Sequence, residues 1–271
     1  MSPSGLITSR SNPLIKSARM LKEGKERKRT GKFLVEGILP IGEASAAGWL
    51  IDSILYAPDL LESDFARNLI SSQSVKGVRC FPVSADVLES LAEKENPQGI
   101  VAIVNQKTTS LESLSPRTIK VAVALIAPQD PGNVGTILRT LDAFGGDAMY
   151  LLDGGVELFH PSVVRASMGA IFWKPVVKAT FVDFITWARQ HRYQLIGTSA
   201  HAEMDYRKVK LDDEKSILVL GNEQKGLSKE QLTACDVAVK IPMRGRASSL
   251  NLAVAASVLL YGLEDQSQSK S

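Results

Sequence analysis

Cysteine, histidine and aromatic residues are what this 271-residue chain has least of: two Cys, three His and 6% Phe, Trp and Tyr together. Cys80 and Cys235 lie far apart, which argues against a disulfide framework and for a reducing compartment; the expectation is a cytoplasmic protein. None of the three histidines stands at metal-ligand spacing, so no metal is expected. No apolar run is long enough to span a bilayer, so a soluble chain is expected. No G-x-G-x-x-G opens a helix and no P-loop pattern occurs, which removes the usual dinucleotide and nucleoside-triphosphate fingerprints.

Charge is scarce in the sum and concentrated in place. The net charge is only +3, but Lys16, Arg19, Lys22, Lys25, Arg27, Lys28, Arg29 and Lys32 are opposed within their stretch only by Glu23 and Glu26, a local balance of +6. Such a run reads as a phosphate-facing surface, with a solvated helix face as the plainer alternative. Hydrophobic content of 44% supplies ample core, and the length suits two domains.

Residues 1–105 read as a mixed α/β domain. Asn12-Pro13 starts a helix toward Lys22, Gly24 to Gly31 reads as a charged turn, and helices follow near Pro40–Ala47 and Asp59–Ile70. Strands are expected at Ile54–Tyr56, Val78–Val83 and Ile100–Val104. Residues 106–119 are polar and lack periodicity, as a linker would. From 120 to 263 strands and helices alternate. Strands read at Val121–Ile126, Ala148–Leu152, Gln194–Thr198, Ile217–Leu220 and Val237–Ile241. Helices read at Val134–Phe144, Ser162–Gly169, Val182–His191, Ser228–Thr233 and Ser249–Tyr261. That alternation predicts a mostly parallel sheet covered on both faces. Residues 264–271 form a polar tail.

Three segments in the second domain share one grammar, a strand followed by a loop with Asn and Gly and then a helix start. They are Asp130–Arg139 (DPGNVGTILR), Leu218–Leu227 (LVLGNEQKGL) and Ile241–Tyr261, which opens IPMRGRASSLNLA. Loops at strand ends are where α/β sheets bind ligands. The last helix is apolar on every side yet has polar Asn251 at its mouth, with Ser248 or Ser249 expected as its N-cap.

Together these segments resemble the SpoU/TrmH family of RNA ribose 2′-O-methyltransferases. The resemblance runs from about Val121 to Leu263 and is carried by Asn133, Gly135 and Arg139, then Gly221, Asn222, Glu223, Gly226 and Leu227, then Ile241–Met243 and Ser249–Asn251. His160–Gly169 (HPSVVRASMG) is similar to the family as well. Ile7–Lys16 and Lys32–Gly37 resemble the N-terminal substrate-binding domain of its ribosomal-RNA members, which argues against reading the acid-poor start as a transit peptide. The resemblance implies a C-terminal α/β domain tied into a deep trefoil knot and a smaller N-terminal α/β RNA-binding domain similar to a ribosomal-protein fold. It implies S-adenosyl-L-methionine as cofactor and a homodimer built through the C-terminal domain. It also implies RNA as partner, with ribosomal RNA favoured over transfer RNA and no membrane.

The residues then take expected roles. Arg139 binds an RNA phosphate or stabilises the developing alkoxide, since an always-protonated guanidinium is an awkward base. Asn133 stands at the turn before its helix, where it would also serve as a cap. Glu223 orients Arg139 or Asn251, and Ser249 and Asn251 share the first turn of the last helix. Gly221, Asn222, Ile241, Met243 and Leu250 line the cofactor pocket, Gly221 by letting the chain approach the adenosyl group. Arg27, Lys28, Arg29, Arg165, Arg244 and Arg246 are the candidate RNA contacts. Phe159, Phe172 and Trp173 are expected in the core. Two other classes compete. A non-catalytic RNA-binding module does not need Asn133, Arg139, Glu223, Ser249 and Asn251 together, and a small-molecule enzyme does not explain the +6 stretch.

Overall fold

The computed structural model describes residues 5–92, 98–209 and 215–268, the side chains of 264–268 excepted. The chain divides into two compact units, Met1–Lys107 with Phe159–Trp173, and Thr108–Leu158 with Lys174–Ser271. Phe159–Trp173, read in sequence as part of the second domain, thus belongs to the first unit. The stretch read as a linker is folded in: Gln106 donates its backbone N–H to Gly31 in the first unit, and Leu111 and Ile119 are buried in the core of the second.

The first unit is built on a four-stranded sheet of order β1-β4-β2-β3, with β1 Lys32–Glu36, β2 Ile51–Tyr56, β3 Arg79–Pro82 and β4 Ile100–Asn105. β4 runs antiparallel to both β1 and β2, and β3 parallel to β2. Helices α1 (Pro13–Met20), α2 (Gly24–Thr30), α3 (Ile38–Ala46), α4 (Asp64–Val75) and α5 (Ala85–Glu89) accompany it. The stretch expected as a charged turn is therefore α2, ended by Gly31 in the left-handed region at φ 65°, where glycine carries no Cβ penalty. α1 begins as read, with Pro13 at its first position and the Asn12 side chain accepting from Leu14 N–H. Phe33 packs on Phe159 with ring centroids 4.6 Å apart, and Trp49 meets Phe172 edge-on at 5.2 Å. Phe159 and Phe172 are core residues as expected. Trp173 is not: it is half exposed, and its indole N–H donates to Glu43 at 2.6 Å.

The second unit holds a seven-stranded sheet of order β7-β6-β5-β10-β8-β11-β9. Its strands are β5 Val121–Ile126, β6 Ala148–Leu152, β7 Val176–Ala179, β8 Gln194–Thr198, β9 Met204–Asp205, β10 Ser216–Leu220 and β11 Val237–Lys240. Every neighbouring pair is parallel. The central strands β5 and β10 read VAVALI and SILVL and are buried almost throughout, as strands covered on both faces must be. Parallel pairing puts the loops after β5, β6, β8, β10 and β11 at one edge of the sheet.

Helix α6 (Pro131–Phe144) follows β5; α7 (Pro161–Ala166) and α8 (Ala170–Trp173) lie in the first unit; α9 (Phe181–Gln190), α10 (Lys229–Thr233) and α11 (Leu252–Gln268) complete the chain. α11 packs on α6, with the Thr140 and Ser257 hydroxyls 3.2 Å apart and Phe144 meeting Tyr261 edge-on at 5.3 Å. It runs past the expected end at Tyr261, through part of the stretch read as a tail; residues 269–271 lie outside the described residues. It is also not apolar-buried all round: Ala253, Ala256, Leu259, Leu260 and Leu263 face inward while Val254 and Tyr261 are half exposed. Among the described residues no helix is long and apolar enough to cross a membrane.

Candidate active site

The site is assembled where the loops after β5 and β10, adjacent strands at the centre of the sheet, meet. The first loop is held in shape by its own residues. Asp130 caps α6, its carboxylate accepting from Gly132 N–H at 2.6 Å and Asn133 N–H at 3.2 Å, with Pro131 at the first helical position. Asn133 is thus inside the first turn rather than capping it. The Asp-Pro pair at 130–131 is a sequence signal for that cap.

Asn133 is 8% exposed and its amide is used at both ends. Its Nδ2 donates to Glu223 Oε1 at 3.2 Å, and its Oδ1 accepts from Asn251 Nδ2 at 2.9 Å. Glu223 also accepts from the backbone N–H groups of Gln129 (2.9 Å) and Asp130 (3.2 Å). Burial opposes its charge, but these backbone bonds and that from Asn133 outweigh the burial and hold its carboxyl below the usual range. The result is a polar relay, Glu223 to Asn133 to Asn251, joining three segments about 90 and 118 residues apart in the chain. Sequence reading had Glu223 orienting Arg139 or Asn251. The structure selects Asn251, through Asn133.

The second loop is stapled to the first. Asn222 Nδ2 donates to the Ala127 carbonyl at 2.8 Å, and its Oδ1 accepts from Gln224 N–H and Lys225 N–H. Gly226 N–H returns to the Asn222 carbonyl at 2.8 Å. A Cβ on Gly221 would lie 2.1 Å from the Gly226 carbonyl carbon. The glycine is required by this loop's own closure. Ala127, at φ 43°, and Gly155, whose Cβ would lie 2.3 Å from the Pro128 carbonyl oxygen, complete the packed floor. Ala127, Gln129, Asp130 and Gly155 were not singled out from the sequence. The first two act through backbone groups, which no residue type announces.

The third loop is different. Asn251 Oδ1 accepts from Ala253 N–H (2.9 Å) and Val254 N–H (3.3 Å), so Asn251 is the cap of α11 and not Ser248 or Ser249. Ser249 lies in the loop before the helix, exposed and outside the first turn. Ile241 is half-buried, while Met243, Arg244, Arg246 and Leu250 are exposed. Among the described residues no backbone–backbone hydrogen bond is made by 243–250. These amides and carbonyls, beside the apolar side chains of Met243 and Leu250, are the groups that suit a flat heteroaromatic ring and its polar edge.

Arg139 stands on the exposed side of α6, one residue from Thr140, and makes no hydrogen bond or ion pair among the described residues. Arg244 and Arg246 are likewise exposed and without such a partner, while Arg165 lies on α7 in the first unit. Arg27 is not on the surface. It is 2% exposed and its Nη1 donates to the carbonyls of Leu21 (2.8 Å) and Lys22 (2.7 Å). That guanidinium holds the α1–α2 turn and is not available to a phosphate. Lys28 and Arg29 do face solvent, Arg29 in an ion pair with Glu26.

Residues 120–261 match the SpoU rRNA Methylase family, and residues 12–102 match the MRM3-like substrate binding domain. The chain is 33% identical to a 23S rRNA (uridine(2479)-2′-O)-methyltransferase of Streptomyces viridochromogenes, over 94% of this chain and 90% of that one. It is 32% identical to the 23S rRNA (guanosine(2553)-2′-O)-methyltransferase RlmP of Bacillus subtilis, over 95% and 98%. An AdoMet-bound rRNA methyltransferase from Sinorhizobium meliloti superposes with a TM-score of 0.88 at 32% identity, covering 97% of this chain and 98% of that one. This chain belongs to the SpoU rRNA methylase family. It is a methyltransferase that uses S-adenosylmethionine, and a relative solved with that cofactor, AviRb of S. viridochromogenes, shares its fold at a TM-score of 0.84.

Proposed function

We propose that this enzyme transfers a methyl group to one ribose 2′-hydroxyl of large-subunit ribosomal RNA. The observation that carries the reading is the relay Glu223–Asn133–Asn251, which fixes the mouth of α11 against the loop after β5 and leaves Arg139 unpaired on the same helix as Asn133. S-adenosylmethionine supplies, when bound, a methyl carbon already activated by its sulfonium. The groups of residues 241–250 would hold it, Met243 and Leu250 by apolar contact and the free backbone by hydrogen bonds. Asn251, held by Asn133 and by its cap to α11, keeps that loop in one geometry; alignment of reactants alone can lower a barrier by up to about 7–11 kcal/mol. Arg139 is the cation for an RNA phosphate or for charge developing on the 2′-oxygen. Ser249 lies in the same loop with its hydroxyl exposed, at hand for the substrate.

The target nucleoside differs between the two relatives, a uridine in one and a guanosine in the other, so membership of the family does not fix the base. The N-terminal unit is read as the RNA-binding domain, similar to a ribosomal-protein fold, and the C-terminal domain as knotted, as the family resemblance implies. A homodimer through the C-terminal domain would cover Val254 and Tyr261; light scattering at micromolar concentration should show twice the 29.3 kDa chain mass. The deciding experiment is to map 2′-O-methylation in RNA from cells with and without the gene. One large-subunit site present only with the gene is expected; a site in transfer RNA, or none, would overturn the assignment.

A further inference from the structure

The first unit carries a charge asymmetry that the sequence run does not reveal. Lys32 pairs with Asn105 across β1 and β4, Ile51 with Val104 across β2 and β4, and Ser53 with Arg79 across β2 and β3. These registers put the start of β1, the end of β4, the start of β2 and the start of β3 at one end of the sheet. The segments there, 28–32, 50–52, 76–79 and 105–107, contribute Lys28, Arg29, Lys32, Lys76, Arg79 and Lys107 against Asp52 and the Glu26 carboxylate paired with Arg29, a net of +4. The strand ends at the other side, Glu36, Tyr56, Pro82 and Ile100, include no cation.

Part of this rim is organised rather than merely charged. Asp52 accepts from Lys32 Nζ at 2.7 Å, from Arg79 Nη2 at 3.2 Å and from Ser53 Oγ at 3.2 Å. Its carboxylate thus fixes two cations from strands that are not neighbours in the sheet. Lys28, Lys76, Arg79 and Lys107 are exposed around them. The sequence run divides accordingly. Arg19 donates to Ser90 Oγ and Lys22 to the Ala92 carbonyl, and Arg27 is buried, while the last members of the run, Lys28 to Lys32, stand at the rim.

We propose that this rim, Lys28, Arg29, Lys32, Lys76, Arg79 and Lys107, is the surface by which the first unit grips the phosphodiester backbone of the substrate RNA. The inference rests on the rRNA methyltransferase reading and adds to it the place of contact. Clustered cations release counterions from a polyanion, and each phosphate contact adds roughly 0.7–0.9 to the slope of log affinity against log salt. Fixed cations such as Lys32 and Arg79 would also set the register of the backbone.

The test compares the wild type with two triple variants of equal charge on a transcribed large-subunit rRNA. One is Lys28→Gln, Lys76→Gln, Lys107→Gln, from the rim. The other is Arg10→Gln, Lys16→Gln, Arg67→Gln, from outside it. The rim variant should lose roughly 2 from the salt slope and bind about tenfold or more weakly near physiological salt. Its melting temperature and its S-adenosylmethionine affinity by calorimetry should match the wild type, and the outside variant should keep the wild-type slope. Equal slopes for the rim variant and the wild type, or equal losses in both variants, would overturn the rim. Wild-type protein showing no salt-dependent rRNA binding would instead sink the functional reading on which the rim depends.

Discussion

The loops after β10 and β11 lie at the same edge of one sheet and are built on opposite principles. In the loop of residues 221–227, Asn222, Glu223 and Gly226 are each engaged, and the polar bonds turn inward to the chain itself. In the loop of residues 241–250 the side chains are largely exposed and the backbone of 243–250 makes no bonds to other backbone. The first is a preorganised support, the second a surface whose partners come from outside. A substitution in the first should therefore damage stability and activity together, and one among the outward-facing groups should damage activity alone.

The sharpest way to break the comparison is Gly221→Ala. Its Cβ would overlap the backbone of Gly226 and Leu227, so the loop must open. A stability loss of about 3 kcal/mol with loss of methyl transfer is expected from such overpacking. A variant with normal melting temperature and normal turnover would show that the loop is not closed as described. Next is Arg139→Lys. Removing one well-placed donor to developing charge typically lowers turnover about 100- to 1,000-fold, and a point charge does not replace a fork. Thermal melting should not move, because the exposed guanidinium makes no hydrogen bond or ion pair among the described residues; near-normal single-turnover rates would refute the clamp.

Acid should act on the support before it acts on the exposed loop. Glu223 has its carboxyl depressed in the folded state, so it contributes stability above the unfolded carboxylate range, which is lost as pH falls through its lower folded value. Glu223→Gln should flatten that part of the stability curve at acid pH while lowering stability near neutrality. Identical pH profiles for the two proteins would mean the carboxylate is not held as the relay requires. The smallest effect is expected in the core, away from both loops. The Tyr150 hydroxyl is buried with no hydrogen-bond partner among the described residues. Tyr150→Phe should be neutral or stabilising by about 1 kcal/mol, with methyl transfer unchanged. A clear destabilisation would mean that the hydroxyl has a partner, such as an internal water.

What the sequence determined by itself was the pattern that repeats locally. β5 and β6 begin and end where apolar runs do, because a buried parallel strand must be apolar on both faces. The three Asn- and Gly-bearing segments were legible for the same reason: each is a strand, a turn and a helix start within about ten residues. The strands β1, β7 and β9 and the helices α2 and α5 escaped, α2 because seven charged and small residues show no apolar period. Tertiary structure alone decided which members of those segments meet. Nothing in residue order says that Asn133 turns to Glu223 and Asn251 while Arg139, six residues on, stays free, or that Gly221 serves its own loop. It also decided that Arg27 is interior while Arg79 and Lys107 join Lys32 at one rim. Hydrogen-bond partners and the sharing of a sheet end depend on strand register and burial, which are properties of contacts between distant segments and are not encoded in any one of them.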